Sequence, residues 1–274
     1  MWRRNILRRS DSVEKVRAIG VSFKIIYSNL DILFLSSSGK KKHFKLDPKF
    51  PSLLFTSGFD TTLYFLQSLL EDYSNRTLSE PTDRHVALSG LAARIAKALN
   101  CEESYGIFGL YLHRNLLWQR SGLLERVAYK PPAVPSWSWM AYTGGIKFMD
   151  IDVFKLDLFK NLKFYGDNKQ ALITDVWKFR GDLKAKEQSE AVSRRILDSY
   201  GKERGWIVYD VKGEEDLASK RSVVVGRTGS EDQSKYYMLI VKQREGNQSE
   251  FERVGIGMVQ KGYISRRQAD VCVF

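Results

Sequence analysis

Three histidines, His43, His85 and His113, and two cysteines, Cys101 and Cys272, are the residues from which metal or nucleophilic chemistry would first be built in this chain. A metal site needs thiolate or imidazole ligands at short spacing, and a Cys or Ser nucleophile needs a base within hydrogen-bond reach. Here the histidines fall in separate segments, with no Cys or carboxylate at ligand spacing. The cysteines are too few and too far apart for a disulfide framework or a thiolate site. Structural or solvated histidines are therefore expected, and no metal. Asp83-Arg84-His85 gathers charge, yet it stands where a helix should begin, and capping and the helix dipole account for an aspartate there. Glu71-Asp72 and Glu102-Glu103 are neighbours that point apart, so neither makes an acid–base couple by itself. Gly255-Ile256-Gly257 lacks the third glycine of a dinucleotide loop and has strand-like surroundings, while Gly144-Gly145 fits a turn needing positive φ. No Gly-x-Ser-x-Gly, Walker or His-Glu-x-x-His pattern occurs. No catalytic, cofactor-binding or metal-ligating residue is assigned, no cofactor is expected, and the chain is read as a non-enzyme.

The run Pro135-Ser136-Trp137-Ser138-Trp139 could serve recognition instead. In a strand its two indoles would point to one side and its two serines to the other, making one large apolar plate. Such a plate is either core or a base-stacking platform for single-stranded nucleic acid. Platforms are ringed by Lys and Arg, and residues 133–142 contain neither. A core strand is expected, and nucleic-acid binding is disfavoured.

The formal charge of +12 weakens as a nucleic-acid signal once it is located. Residues 1–50 hold twelve Lys and Arg against Asp11, Glu14, Asp31 and Asp47, a net +8, and the other 224 residues carry +4. A phosphate-binding face would concentrate its cations on a folded surface. The first ten residues, with Arg3, Arg4, Arg8 and Arg9 around Ile6 and Leu7, offer mitochondrial targeting as an alternative, which Asp11 and Glu14 oppose. Low cysteine usage and the lack of a secretory pattern favour an intracellular, cytoplasmic setting. The apolar stretch from Val21 to Leu35 carries Lys24 and Asp31 and falls short of the roughly 20 residues of a membrane span.

What must position these residues is read from periodicity. Val21, Phe23, Ile25 and Tyr27 alternate, as a hairpin-like pattern does. Leu63, Leu66, Leu70 and Tyr73 recur at three and four, behind Thr61 and Thr62 as possible caps. After Pro81, Leu88, Leu91, Ile95 and Leu99 form a second stripe, with Ala87, Ala92, Ala93, Ala96 and Ala98 allowing a close neighbour. From Tyr105 short aromatic and β-branched segments follow one another, the clearest being Tyr236–Lys242, apolar on both faces. Strands are expected also at residues 106–112, 136–141, 153–158 and 172–179, and a surface helix over the charged stretch Lys184 to Tyr200. The fold class is α+β, an N-terminal helical hairpin packed on a mainly antiparallel β-rich sheet or barrel. Three regions result: a basic leader with short strands at 1–58, a helical subdomain at 59–104 and a β-rich domain at 105–274.

Several motifs occur in a fixed order: Glu71-Asp72-Tyr73-Ser74; Asp83 before Ala87-Leu88-Ser89-Gly90-Leu91-Ala92; Tyr105; Gly109-Leu110-Tyr111; Leu116-Leu117-Trp118; and Pro135-Ser136-Trp137-Ser138-Trp139. The series resembles fungal heterokaryon-incompatibility (HET) domain proteins over roughly residues 59–259, in the region that follows the HET domain. Tyr237-Met238-Leu239 and Glu252-Arg253-Val254-Gly255 look like strands near the end of such proteins. The resemblance implies a part in self/non-self recognition and cell death, with protein partners in that signalling. The family's N-terminal signatures, Ser-Tyr-x-Trp-Gly and Asp-x-x-Cys-Ile-Asn-Gln, are absent from residues 1–58. The expectation is a regulatory or recognition region without its effector domain, from a chain that is a fragment or a divergent member of the family. The HET domain is similar to TIR folds, some of which cleave NAD, so a divergent NAD-cleaving enzyme is the alternative reading. Asp72, Tyr73, Ser74, Asp83, Leu88, Ser89, Gly90, Leu91, Trp118, Pro135, Ser136, Trp137, Ser138 and Trp139 carry the resemblance as structural motif positions.

Overall fold

A computed structural model of the chain describes residue 54 and residues 58–274, apart from 77, 123, 131–132, 188–192, 212–215 and 230–233, and only the backbone of Arg266. The basic leader apart from Leu54 and Gly58, with the alternating pattern at Val21 to Tyr27 and His43, lies outside the described residues. Contacts divide the chain into two compact units, Met1–Phe65 and Leu66–Phe274.

Helix α1 (Phe59–Ser74) starts one turn earlier than its threonines imply, because Gly58, at φ 86°, turns the chain and its carbonyl takes the Thr62 N–H at 3.1 Å. Thr62 is thus already helical, and its hydroxyl donates to the Leu54 carbonyl at 2.7 Å. Leu63, Leu66, Leu70 and Tyr73 are all buried, as their spacing requires. Helix α2 (Arg84–Ala98) buries Leu88, Ala92, Ile95 and Ala96. Asp83 precedes it without capping it. A 3-10 turn at Pro81–Asp83 runs directly into the helix, so the Arg84 N–H bonds to the Pro81 carbonyl and the Asp83 carboxylate has no capping bond.

The strands follow: β1 (Glu103–Ser104), β2 (Ile107–Phe108), β3 (Trp118–Arg120), β4 (Ile146–Phe148), β5 (Asp157–Leu158), β6 (Lys163–Tyr165) and β7 (Ala171–Phe179). Then come β8 (Lys184–Glu187), β9 (Arg194–Leu197), β10 (Glu203–Tyr209), β11 (Lys220–Thr228), β12 (Lys235–Gln243), β13 (Glu250–Gln260) and β14 (Ile264–Val273). Strands β5 to β14 make one sheet of ten, antiparallel except where β14 runs beside β13, so the α+β class with a mainly antiparallel sheet holds. Strand β12 pairs with β11 on one edge and β13 on the other; β11 reaches β7 at Arg221↔Lys178, β7 pairs with β14, and β14 reaches β13 at Phe251↔Val273. Five strands thereby close into a ring, and β10, β9 and β8 extend from it as a flange. Closure demands strong twist, supplied by register shifts at Val224/Gly226, Ile240/Val241 and Gln268/Val271, the last with Asp270 at φ 54°.

Register explains why β12 is apolar on both faces. One cross-strand row is Val223, Leu239, Ile256 and Val208; the next, on the opposite face, is Val224, Met238, Gly257 and Ile207. Both rows are buried, Met238 and Ile207 in a cluster with Ile196, Tyr209 and Val254. Gly257 is glycine because a Cβ there would stand 2.6 Å from the Trp206 carbonyl oxygen.

Four expected elements differ. Residues 106–112 contribute only β2, then a 3-10 turn (Gly109–Tyr111) and the short helix α3 (Leu112–Asn115). The expected surface helix at 184–200 is the hairpin β8–β9, in which Ala185 and Ile196 face each other and Ile196 is fully buried, so the spacing there is two. Residues 136–141 are a turn and a 3-10 helix (Trp139–Ala141). Likewise 153–158 holds a 3-10 turn (Val153–Lys155) before the short β5.

Candidate functional site

The serines decide the shape of the tryptophan run. The Ser138 N–H bonds to the Pro135 carbonyl at 3.0 Å and the Ser138 hydroxyl accepts the Met140 N–H at 3.0 Å, a local arrangement that competes with a sheet ladder. The same hydroxyl donates to the Tyr105 carbonyl at 2.8 Å, which is presented by a two-residue turn with Tyr105 and Gly106 both at positive φ between β1 and β2. Because the run is not a strand, its indoles form no common plate. Trp137 packs against Tyr105 and Phe164, whereas Trp139 meets the edge of Tyr73 at 5.9 Å and lies under Arg84. Both indoles and both serines are buried, and Trp137 and Trp139 have no exposed area, so neither ring offers a face for a base.

Beside them is an ion pair with no exposed side-chain surface. The Arg253 Nε donates to one Asp210 oxygen at 3.0 Å and an Nη to the other at 3.2 Å. Its remaining donors reach the Leu116 carbonyl at 2.8 Å and the Trp118 carbonyl at 2.6 Å, with the guanidinium 3.4 Å from the Trp118 ring centroid. The Trp118 indole N–H donates to the Trp137 carbonyl at 3.0 Å, and the Ser136 hydroxyl takes the Arg253 N–H at 2.7 Å while donating to the Phe274 carbonyl. Burial pushes the Asp210 carboxyl above its ordinary value, and the Arg253 charge and hydrogen bonds oppose that. Tyr142, whose hydroxyl meets the Arg253 carbonyl at 3.4 Å, is likewise raised by burial. Four guanidinium N–H bonds to fixed protein acceptors, with the Trp118 and Ser136 bonds, weld β3, β10 and β13 to the tryptophan run.

At the junction of α1 and α2 lies a cleft of about 160 Å³, lined by Arg76, Arg84, Thr143 and Gly144 among others. The Arg84 guanidinium donates to the Ser74 carbonyl at 3.2 Å and to Gly144 at 3.5 Å, and is 5.6 Å from the Trp139 ring centroid. The Ser74 hydroxyl donates to the Glu71 carbonyl and accepts the Ile146 N–H, and the Tyr73 hydroxyl donates to the Arg84 carbonyl. Gly144 has φ 85°, as the turn reading requires, and a Cβ on Gly145 would collide with Asn75 and Ser121.

The motif positions divide accordingly. Tyr73, Ser74, Trp118 and residues 135–139 gather in these contacts, and Leu88 is buried on α2. Asp72, Asp83, Ser89 and Gly90 are exposed and Leu91 is half-buried; the Ser89 hydroxyl bonds only to Val86 in its own helix. His85 stacks on Tyr105 and His113 meets the Phe159 carbonyl at 2.6 Å, and burial lowers both imidazoles. Cys101 and Cys272 are free, half-buried thiols raised by burial. Among the described residues no three His, Cys, Asp or Glu side chains converge as a metal site, and no helix is long and apolar enough to cross a membrane. Arg253 and Asp210 had no assigned role from sequence; the available signal was a charge directly before the apolar and glycine run Val254–Val259 and one just after β10. Comparison with protein families, with curated proteins and with solved structures finds no match.

Proposed function

We propose that this chain is the recognition or regulatory region of a heterokaryon-incompatibility-type protein, acting in the cytoplasm through protein partners and not through bond-making chemistry of its own. The observation that carries the reading is convergence. Tyr73, Ser74, Trp118 and the Pro135–Trp139 run, far apart in sequence and ordered as in that family, meet in one buried cluster. The Tyr73, Ser74, Ser136 and Ser138 hydroxyls and the Trp118 and Trp137 indole N–H groups are used in fixed internal bonds, the work of a scaffold that shapes a surface. The experiment is expression in fungal cells, alone and together with a HET-domain protein. Expression alone should leave viability unchanged, and co-expression should change the frequency of death on fusion of unlike hyphae. Consumption of NAD by the purified chain, lost on a single carboxylate substitution, would replace this reading with the enzymatic one.

A further inference from the structure

Cross-strand register assembles a surface on the flange from residues that are scattered along the chain. Lys186 on β8 lies opposite Arg195 on β9, Arg195 opposite Trp206 on β10, Trp206 opposite Met258 on β13, and Met258 opposite Tyr237 on β12. Opposed residues of an antiparallel ladder share a face, so these five side chains form one row across five strands. Further in on that face, the row Val208, Ile256 and Leu239 is buried. At the outer row the cover ends: Trp206, Met258 and Tyr237 are half-buried, and Lys186 and Arg195 are exposed. On the opposite face Tyr236 and Tyr209 are engaged by Phe159 and Arg194, whereas among the described residues neither Trp206 nor Tyr237 has a ring or guanidinium partner. Lys184, two residues along β8, adds an exposed cation to the same face, and the acid beside them, Glu203, stands 3.9 Å from Arg195 with both side chains half exposed.

We propose that this row is a binding surface for single-stranded nucleic acid, on which Trp206 and Tyr237 stack bases while Lys186 and Arg195 meet the phosphate backbone. Every base has a π-face, so an indole and a phenol on an open sheet accept any of them, and the cations supply an attraction that does not depend on sequence. With neighbouring strands roughly 4.8 Å apart, the two rings stand roughly 10 Å from each other, and the cations follow one and two strands beyond Trp206. That spacing leaves room for a base on each ring and carries the backbone outward over the flange. A duplex hides its base faces and would meet only the cations. An acidic protein segment would likewise use the cations but not the rings. The buried run at 135–139 takes no part in this surface. The inference is independent of the incompatibility reading, and either can fail without the other.

The test is fluorescence anisotropy of the full chain with a labelled oligothymidylate of about eight nucleotides, at rising potassium chloride, with the same length of duplex and an oligoglutamate peptide as comparison ligands. Saturable binding of the single strand, tighter than either comparison ligand and weakened by salt, is expected. Trp206→Ala should weaken it about tenfold or more, and Trp206→Phe should retain most of the affinity. Lys186→Gln with Arg195→Gln should also weaken binding and should flatten the slope of log K against log salt by about 1.4. Lys97→Gln, on the exposed side of α2, should change neither. Because Lys186 and Arg195 are exposed, their double variant keeps the test decisive if Trp206→Ala does not fold. Absence of saturable binding, duplex or oligoglutamate bound as tightly as the single strand, or an unchanged affinity in the Lys186→Gln/Arg195→Gln variant would each overturn the proposal.

Discussion

Trp137 has no exposed surface and its indole N–H donates to the Gln170 carbonyl at 3.3 Å, so truncation removes both apolar packing and a partner for that carbonyl. Trp137→Ala should cost about 3–5 kcal/mol, a large part of the roughly 5–15 kcal/mol by which domains are stable, as read from urea unfolding. Retained stability with altered ligand binding would return the indole to a recognition role. The Arg253–Asp210 pair makes a sharper case. Arg253→Met leaves a carboxylate with no exposed surface unpaired and should cost about 3–5 kcal/mol, whereas Arg253→Met with Asp210→Leu should recover much of it. Protonation also enters at this scale. Burial lowers the His113 and His85 imidazoles below their usual value, so the unfolded chain takes up protons first as pH falls. Their contribution to stability is complete above about pH 6.5 and is lost as pH drops through the lowered folded values. In the His85→Gln/His113→Gln variant the decline in urea midpoint between pH 7.5 and 5.5 should be shallower than in the native chain.

At the scale of elements, the hairpin β8–β9 shows how an edge is kept soluble. Among the described residues β8 is the last strand on its side of the sheet, and Lys184 and Lys186 are exposed along it. Lysines on an edge strand oppose pairing with another chain. Lys184→Val with Lys186→Val should promote self-association, visible as higher mass in light scattering at unchanged circular dichroism. This same charge made the stretch read as a solvated helix, because Lys, Arg and Glu are good helix formers and hide the alternation that Ala185 and Ile196 keep. The stripes on α1 and α2 were legible because their apolar residues are large and regularly spaced. The Trp139–Ala141 turn was not, because aromatic residues favour strands while two serine hydroxyls, seeking backbone partners in three dimensions, decide otherwise.

For the whole molecule, closure of the five-strand ring depends on its last strand. Val271 and Val273 are fully buried, the Phe274 N–H bonds to the Phe251 carbonyl at 2.9 Å, and Ser136 donates to the Phe274 carbonyl. Removing residues 271–274 should open the ring between β13 and β14, expose both edges and abolish the cooperative melting transition followed by circular dichroism. Retention of that transition would show that the open sheet is stable without closure.

By itself the sequence determined that two helices precede a mainly antiparallel sheet, the buried stripes and the strand that is apolar on both sides, because these follow from local spacing of apolar side chains. It also placed the tryptophan run in the core, since an aromatic cluster without nearby cations has little reason to remain wet. Only the tertiary structure decided that the ring closes, that Arg253 meets Asp210, and that Arg84 lies over Trp139. Each of these joins groups that are distant along the chain, and a charge in the sequence shows neither its burial nor its partner until the backbone brings them together.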